Sequence, residues 1–157
     1  MNDDSTEADA PRGSAVLRAM ARKVYRDGIL EAAEKVFARA GFADTRMADV
    51  AAEAGLATGT LYNYFANRDE LLSSLIERRG EDLLAALREA EERASEPREQ
   101  LEELARAVFG YFESHRPLFA IFLEPGSISG KSMAAITRRC GSAQREFYGL
   151  FTRIIER

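Results

Sequence analysis

Between Thr45 and Phe65 the residue spacing narrows the possible local folds more sharply than anywhere else in the chain. Met47, Val50, Ala51 and Ala54 fall at i, i+3, i+4 and i+7, one face of a helix. Thr45 is placed to give this helix an N-cap oxygen, and Gly55 stops it. A second short helix is predicted over Thr58–Tyr64. Two helices crossing near a right angle need a small residue where they touch and an apolar residue facing inward from the second. Ala51 lies four residues before Gly55 and Leu61 six after it. That is helix-turn-helix spacing, over about residues 46–65. The outer side of the second helix then presents Thr58, Thr60, Tyr62 and Asn63, whose hydroxyls and amide bond phosphates and base edges. Gly59 leaves room for close backbone approach. A plain packed helical hairpin shares the spacing, so the spacing alone does not separate the two.

The rest of the chain reads as helix too. Ala (26) and Leu (15) far outnumber Val (5) and Ile (7), and Glu (18) and Arg (19) exceed Asp (8) and Lys (3). These are helix formers, with few strand formers, so the fold class is all-α. A first helix is predicted over about 24–40, with Ile29, Ala33, Val36 and Phe37 on one face and Gly41 as its stop. Asn67 and Glu70 form a capping box that opens a long fourth helix, ending near Ser95. A fifth starts at Pro97 with Leu101, Leu104, Ala105, Val108, Phe109 and Phe112 as its stripe. Pro117 opens a short apolar segment, residues 124–130 read as a loop, and a last helix runs from about Ser132 to the end.

Charge is unevenly placed. The net charge is −4, yet residues 12–68 carry nine bases against six acids. From Arg12 to Arg26 there are five bases and no acid, which fits either an arm into a DNA minor groove or a solvated early extension of the first helix. An acidic chain with one basic segment can bind an anion locally.

Several function classes are excluded or disfavoured. No apolar run approaches the roughly 20 residues of a bilayer span, and the acidic first ten residues are not a secretory signal. A cytoplasmic setting without membrane attachment is expected. One cysteine, Cys140, rules out an internal disulfide and a thiolate-rich zinc site. One histidine, His115, and no phosphate-cradling glycine loop argue against an enzyme, a metal site or a bound cofactor. His115 is expected to cap helix carbonyls. Cys140 is expected to be a buried small apolar residue rather than a redox sensor.

The fuller sequence resembles the N-terminal domain of TetR-family transcriptional regulators. The resemblance rests on Ile29-Leu30-Glu31-Ala32-Ala33 with Phe37 and Gly41-Phe42, Thr45, Val50-Ala51 and Ala54-Gly55. Its strongest part is Gly59-Thr60-Leu61-Tyr62 with Tyr64-Phe65 and Arg68-Asp69-Glu70-Leu71. It implies a tail over 1–21, a three-helix DNA-binding domain over 22–82, and a helical ligand-binding and dimerisation domain over 83–157. The long fourth helix joins the two domains. It also implies a homodimeric repressor of a palindromic operator, released by a small apolar effector. Thr58, Gly59, Thr60 and Asn63 would meet the DNA through the recognition helix. Thr45, Tyr62, Tyr64 and Arg68 would meet its phosphates, unless a tyrosine packs against the first helix instead; Arg46 is a further candidate for DNA binding or else a solvated surface charge. Ala57 departs from the capping hydroxyl usual in the family, and Thr58 is the candidate to replace that cap. Phe109, Phe112, Phe119, Phe122, Met133, Ile136 and Phe147 are the candidate ligand pocket. Two further helices, usual for the dimer interface, are expected beyond residue 157. A chain without them would act instead by heterodimerising with a longer relative.

Overall fold

The computed structural model describes residues 10–121 and 128–156, and those residues form seven helices gathered around two cores. They are α1 (Ala10–Ala40), α2 (Met47–Glu53), α3 (Thr58–Tyr62), α4 (Arg68–Glu92), α5 (Pro97–Ser114), α6 (Arg116–Ala120) and α7 (Gly130–Ile155).

Helix α1 starts at Ala10, not near residue 24 as periodicity suggests. Residues 13–25 are exposed and carry no buried stripe, so a search for a core face cannot see them. They extend a helix already nucleated on the core, and each added residue needs only propagation, which Ala, Leu, Met and Arg favour. Of the tail expected over residues 1–21, residues 10–21 are helical, so the basic stretch is a helical extension rather than a flexible tail; residues 1–9 lie outside the described residues. Gly41, at φ 77°, ends α1 and its N–H donates to the Phe37 carbonyl at 2.9 Å.

The first core gathers Ile29, Ala33, Val36 and Phe37 of α1 with Phe42, Val50, Ala51, Leu61 and Phe65. Leu71, Leu72 and Leu75 from the start of α4 complete it from the other side. Phe37 and Phe42 meet edge to face at 5.4 Å. Helix α4 opens as the sequence predicts. Asn67 Oδ1 accepts from the Glu70 N–H at 2.8 Å, and the Glu70 carboxylate reaches back to the Ala66 N–H at 2.8 Å.

The second core is smaller: Leu84, Leu87 and Ala90 of α4, Leu104 of α5, and Leu150 and Ile154 of α7. Of the predicted α5 stripe only Leu104 is fully buried; Leu101, Phe109 and Phe112 are exposed. Helix α7 begins at Gly130, and the Ser129 hydroxyl accepts from the Ser132 N–H at 3.2 Å. The short α6 divides its side chains. Leu118 joins the first core, as does Ile121 just after it, while Phe119 turns toward Phe112, their rings 4.3 Å apart.

Candidate functional site

Helix α3 is five residues long and is held by one side chain. Leu61 is fully buried over Val50 and Ala51, and the Leu56 N–H donates to the Ala51 carbonyl at 2.8 Å across the turn. Gly55 takes φ 68°, a conformation that costs an L-residue about 1–2 kcal/mol. With Leu61 inward, Thr58, Gly59, Tyr62 and Asn63 are exposed, and Thr60 and Tyr64 are half-buried. Ala57 is the N-cap and supplies no side-chain bond. Thr58 is the first helical residue, so it does not replace the missing cap.

The two tyrosines differ. Tyr62 is 51% exposed. Tyr64 lies past the end of α3, its ring 6.4 Å from that of Tyr25 and 6.0 Å from the Arg22 guanidinium. It packs against α1 on one side.

Two of the proposed phosphate ligands are engaged inside the protein. Thr45 is buried, and its hydroxyl donates to the Gly41 carbonyl at 2.7 Å. The N-cap of α2 is Arg46, whose N–H is held by the Asp49 carboxylate at 3.2 Å. A fixed anion thus already sits at that helix start, with the exposed Arg46 beside it. Arg68 donates through Nη1 to the carbonyls of Ala43 and Thr45, at 2.5 and 3.1 Å, and lies 4.5 Å over the Phe42 ring. It ties the start of α4 to the turn before α2. The sequence shows which residues are polar; it does not show which carbonyls will be within reach.

A polar network absent from the sequence reading joins the two cores. Glu34 of α1 accepts from Arg79 Nε at 2.9 Å and also from its Nη2, and its other oxygen meets His115 Nδ1 at 2.8 Å. Arg79 Nη1 reaches Asp82 at 2.8 Å, and Arg78 bonds Asp27 and Asp82 at 2.5 and 3.1 Å. Burial pulls the Arg79 pKa down, but its bonds to Glu34 and Asp82 outweigh this and raise it. His115 therefore does not cap carbonyls through its ring; it bonds a carboxylate 81 positions earlier in the chain. No local spacing encodes such a pair. The Tyr111 hydroxyl donates to the Arg79 carbonyl at 2.6 Å.

Between the cores lies a cavity of about 520 Å³. Phe112 of α5, Phe119 of α6, and Ile136 and Phe147 of α7 border it, as four of the seven candidate pocket residues. Phe109 does not: it is 75% exposed. Met133 is also exposed and away from the cavity, and Phe122 lies outside the described residues. Helix α4 contributes Ile76, Gly80, Leu83 and Leu84. Cys140 and Ala143 of α7 face the same space. Burial, with the Glu77 charge, pushes the Cys140 thiol up, so the thiolate that redox sensing needs is disfavoured. Arg79 is the charged residue on the wall, and its guanidinium is already bonded to Glu34 and Asp82.

Residues 29–75 match the family described as bacterial regulatory proteins, tetR family. The HTH-type transcriptional repressor KstR2 of Mycobacterium tuberculosis is 32% identical over 97 residues, 62% of this chain and 48% of that protein. The repressor NicS of Pseudomonas putida is 27% identical over 144 residues, 89% of this chain and 66% of NicS. Among solved structures, the regulator PfmR of Thermus thermophilus aligns with a TM-score of 0.64 at 29% identity, over 83% of this chain and 71% of PfmR. The regulator FadR of Bacillus subtilis, in complex with stearoyl-CoA, shares the fold with a TM-score of 0.69 at 23% identity, over 82% and 70% of the two chains. The chain spans about half the length of curated relatives such as KstR2.

Proposed function

We propose, from the premise that this chain belongs to the TetR family of bacterial regulatory proteins, that it is a repressor which grips operator DNA through α3 and lets go when a small apolar ligand fills the cavity. It is a transcription regulator, as its relatives are, and not an enzyme. The observation that carries the proposal is α3 itself, with Leu61 buried behind it and Thr58, Tyr62 and Asn63 on its open face. A short polar helix held this way fits the major groove, with hydroxyls for phosphates and an amide for base edges. Exposed Arg46 adds positive charge at the start of α2. Arg68 supports the surface by fixing the 43–45 turn, and Thr45 supports it from inside.

The reading takes a homodimer on a palindromic operator, since half-sites one helical turn apart need recognition helices about 34–36 Å apart. The apolar ligand is supported by the wall of Ile76, Leu83, Phe112, Phe119 and Phe147. FadR of Bacillus subtilis, bound to stearoyl-CoA, shares the fold and is consistent with an apolar effector. Release follows if the ligand favours an arrangement in which α4 and α6, which touch both cavity and first core, hold α3 at a different angle.

The test uses duplexes selected from a random pool by the wild-type chain. Asn63→Ala is expected to change sequence preference, and Tyr62→Phe to weaken all sequences alike. Unchanged affinity and preference in both variants would remove α3 from the interface. For the cavity, a thermal-shift screen of uncharged hydrophobic compounds is expected to find stabilisers whose effect shrinks in Phe119→Ala.

A further inference from the structure

The inner stripe of α1 changes chemistry where the helix leaves its domain. From Ile29 onward the stripe is apolar and buried: Ile29, Ala33, Val36. Followed toward the N-terminus at the same three- and four-residue spacing, it becomes Arg26, Arg22 and Arg18. Arg26 is half-buried, 4.4 Å over the Phe65 ring, with Nη2 bonded to Ser74 Oγ at 2.9 Å and Nη1 to the Tyr64 carbonyl at 3.4 Å. One turn out, Arg22 is exposed, its guanidinium 6.0 Å from the Tyr64 ring centroid. Another turn out, Arg18 is exposed, its Nε and Nη2 bonded back to Ser14 at 3.1 and 3.3 Å. No acid lies between Ala10 and Arg26. Tyr64 directly follows the recognition element, so the arginine stripe starts beside α3 and runs on for about 12 Å along the helix.

We propose that Arg18 and Arg22 form a second phosphate-binding strip, lying along the duplex backbone that flanks the segment held by α3. The inference rests on the reading of α3 as the groove-entering helix. The side of α1 that packs on the domain core further along presents exposed guanidinium groups here, which suits an anionic neighbour rather than an apolar one. A second copy docking through the same stripe would bring positive charge against positive charge and be repelled. The apolar residues of this stretch, Val16, Leu17, Met20 and Val24, lie on the opposite side and leave the strip clear.

The experiment measures binding of the intact 157-residue chain to selected duplexes and to a random-sequence duplex of about 30 bp, across salt concentrations. Arg18→Gln with Arg22→Gln is expected to lower the log–log salt slope by about 2 and to weaken both duplexes by roughly tenfold or more at moderate salt, with sequence preference unchanged. Arg98→Gln with Arg106→Gln, on the exposed face of α5, removes the same charge and should leave the slope as it is. Wild-type binding with an unaltered slope in the Arg18/Arg22 variant overturns the strip and leaves the α3 reading intact. A wild-type chain that binds no duplex overturns both. Leu17→Gln with Val24→Gln probes the other face: if that pair, rather than the arginines, abolishes binding together with self-association, the extension is a contact between copies and the strip is wrong.

Discussion

In the first core Phe37, Phe42 and Phe65 are sealed from solvent, while in the second region Phe112 is exposed, Phe147 and Phe151 are only partly covered, and Phe109 points outward. The first is a close-packed core of helices pinned at fixed angles. The second surrounds a cavity of about 520 Å³. Both regions are helical and rich in apolar residues, so composition does not distinguish them. The difference is in what surrounds each aromatic ring. A dense core fixes the angle between α2 and α3, and a DNA-reading surface needs that angle fixed. A loose one leaves space that a ligand can fill, at the expense of stability.

The largest test of this contrast is truncation of one phenylalanine in each region. Phe37→Ala should destabilise by about 3–5 kcal/mol, because its neighbours cannot collapse into the void. Phe147→Ala should cost clearly less, because that ring is only half-buried and already borders empty space. Urea unfolding of both variants measures the gap; equal losses would mean that the two cores are equally packed. Adding carbon should separate the regions by sign. Ala33 is fully buried, and Ala33→Val is expected to cost about 1–3 kcal/mol by overpacking. At Gly80 an added methyl would meet Ala143 Cβ at 3.9 Å, ordinary contact, and Gly80→Ala should stabilise α4 by about 0.5–1 kcal/mol. It should also narrow the cavity and weaken any thermal shift produced by apolar compounds.

The smallest effect is a pH dependence confined to the junction. Burial, and then the Asp82 charge, raise the Tyr111 phenol above its ordinary value of 10. The unfolded chain therefore releases this proton first. The contribution is complete below about pH 10 and is lost as pH climbs from there toward the higher folded-state value. Urea midpoints measured from about pH 8 to 11 should fall more steeply for the wild type than for Tyr111→Phe.

The same contrast explains what the sequence could carry. Ala51, Gly55 and Leu61 are legible because helix crossing demands a small residue, a left-handed turn and an apolar anchor at fixed separations. The α4 start is legible because Asn67 and Glu70 bond within their own turn. Thr45 and Arg68 are of types that suit phosphate, and their residue types carry no more than that. Their hydroxyl and guanidinium instead find carbonyls at Gly41, Ala43 and Thr45, a matter of three-dimensional reach. The α5 stripe is legible as apolar, yet spacing says only that a face is apolar, not what covers it; Leu104 is covered and Phe109 is not. The Glu34–His115 pair spans 81 positions and leaves no local trace.

Helix α4 has a mechanical consequence for the proposed regulator. From Leu84 at the cavity to Arg68 beside the recognition surface is roughly 24 Å of continuous rod. A tilt of roughly 5° about the Leu84 end carries Arg68 sideways by about 2 Å. Since Arg68 is bonded to the turn before α2, α2 and α3 are carried with it. Hydrogen bonds to bases tolerate about 0.5 Å of error. The arm length thus multiplies a slight change of angle several-fold, and on the proposed reading a ligand that only partly filled the cavity would have the leverage to put α3 out of step with a groove.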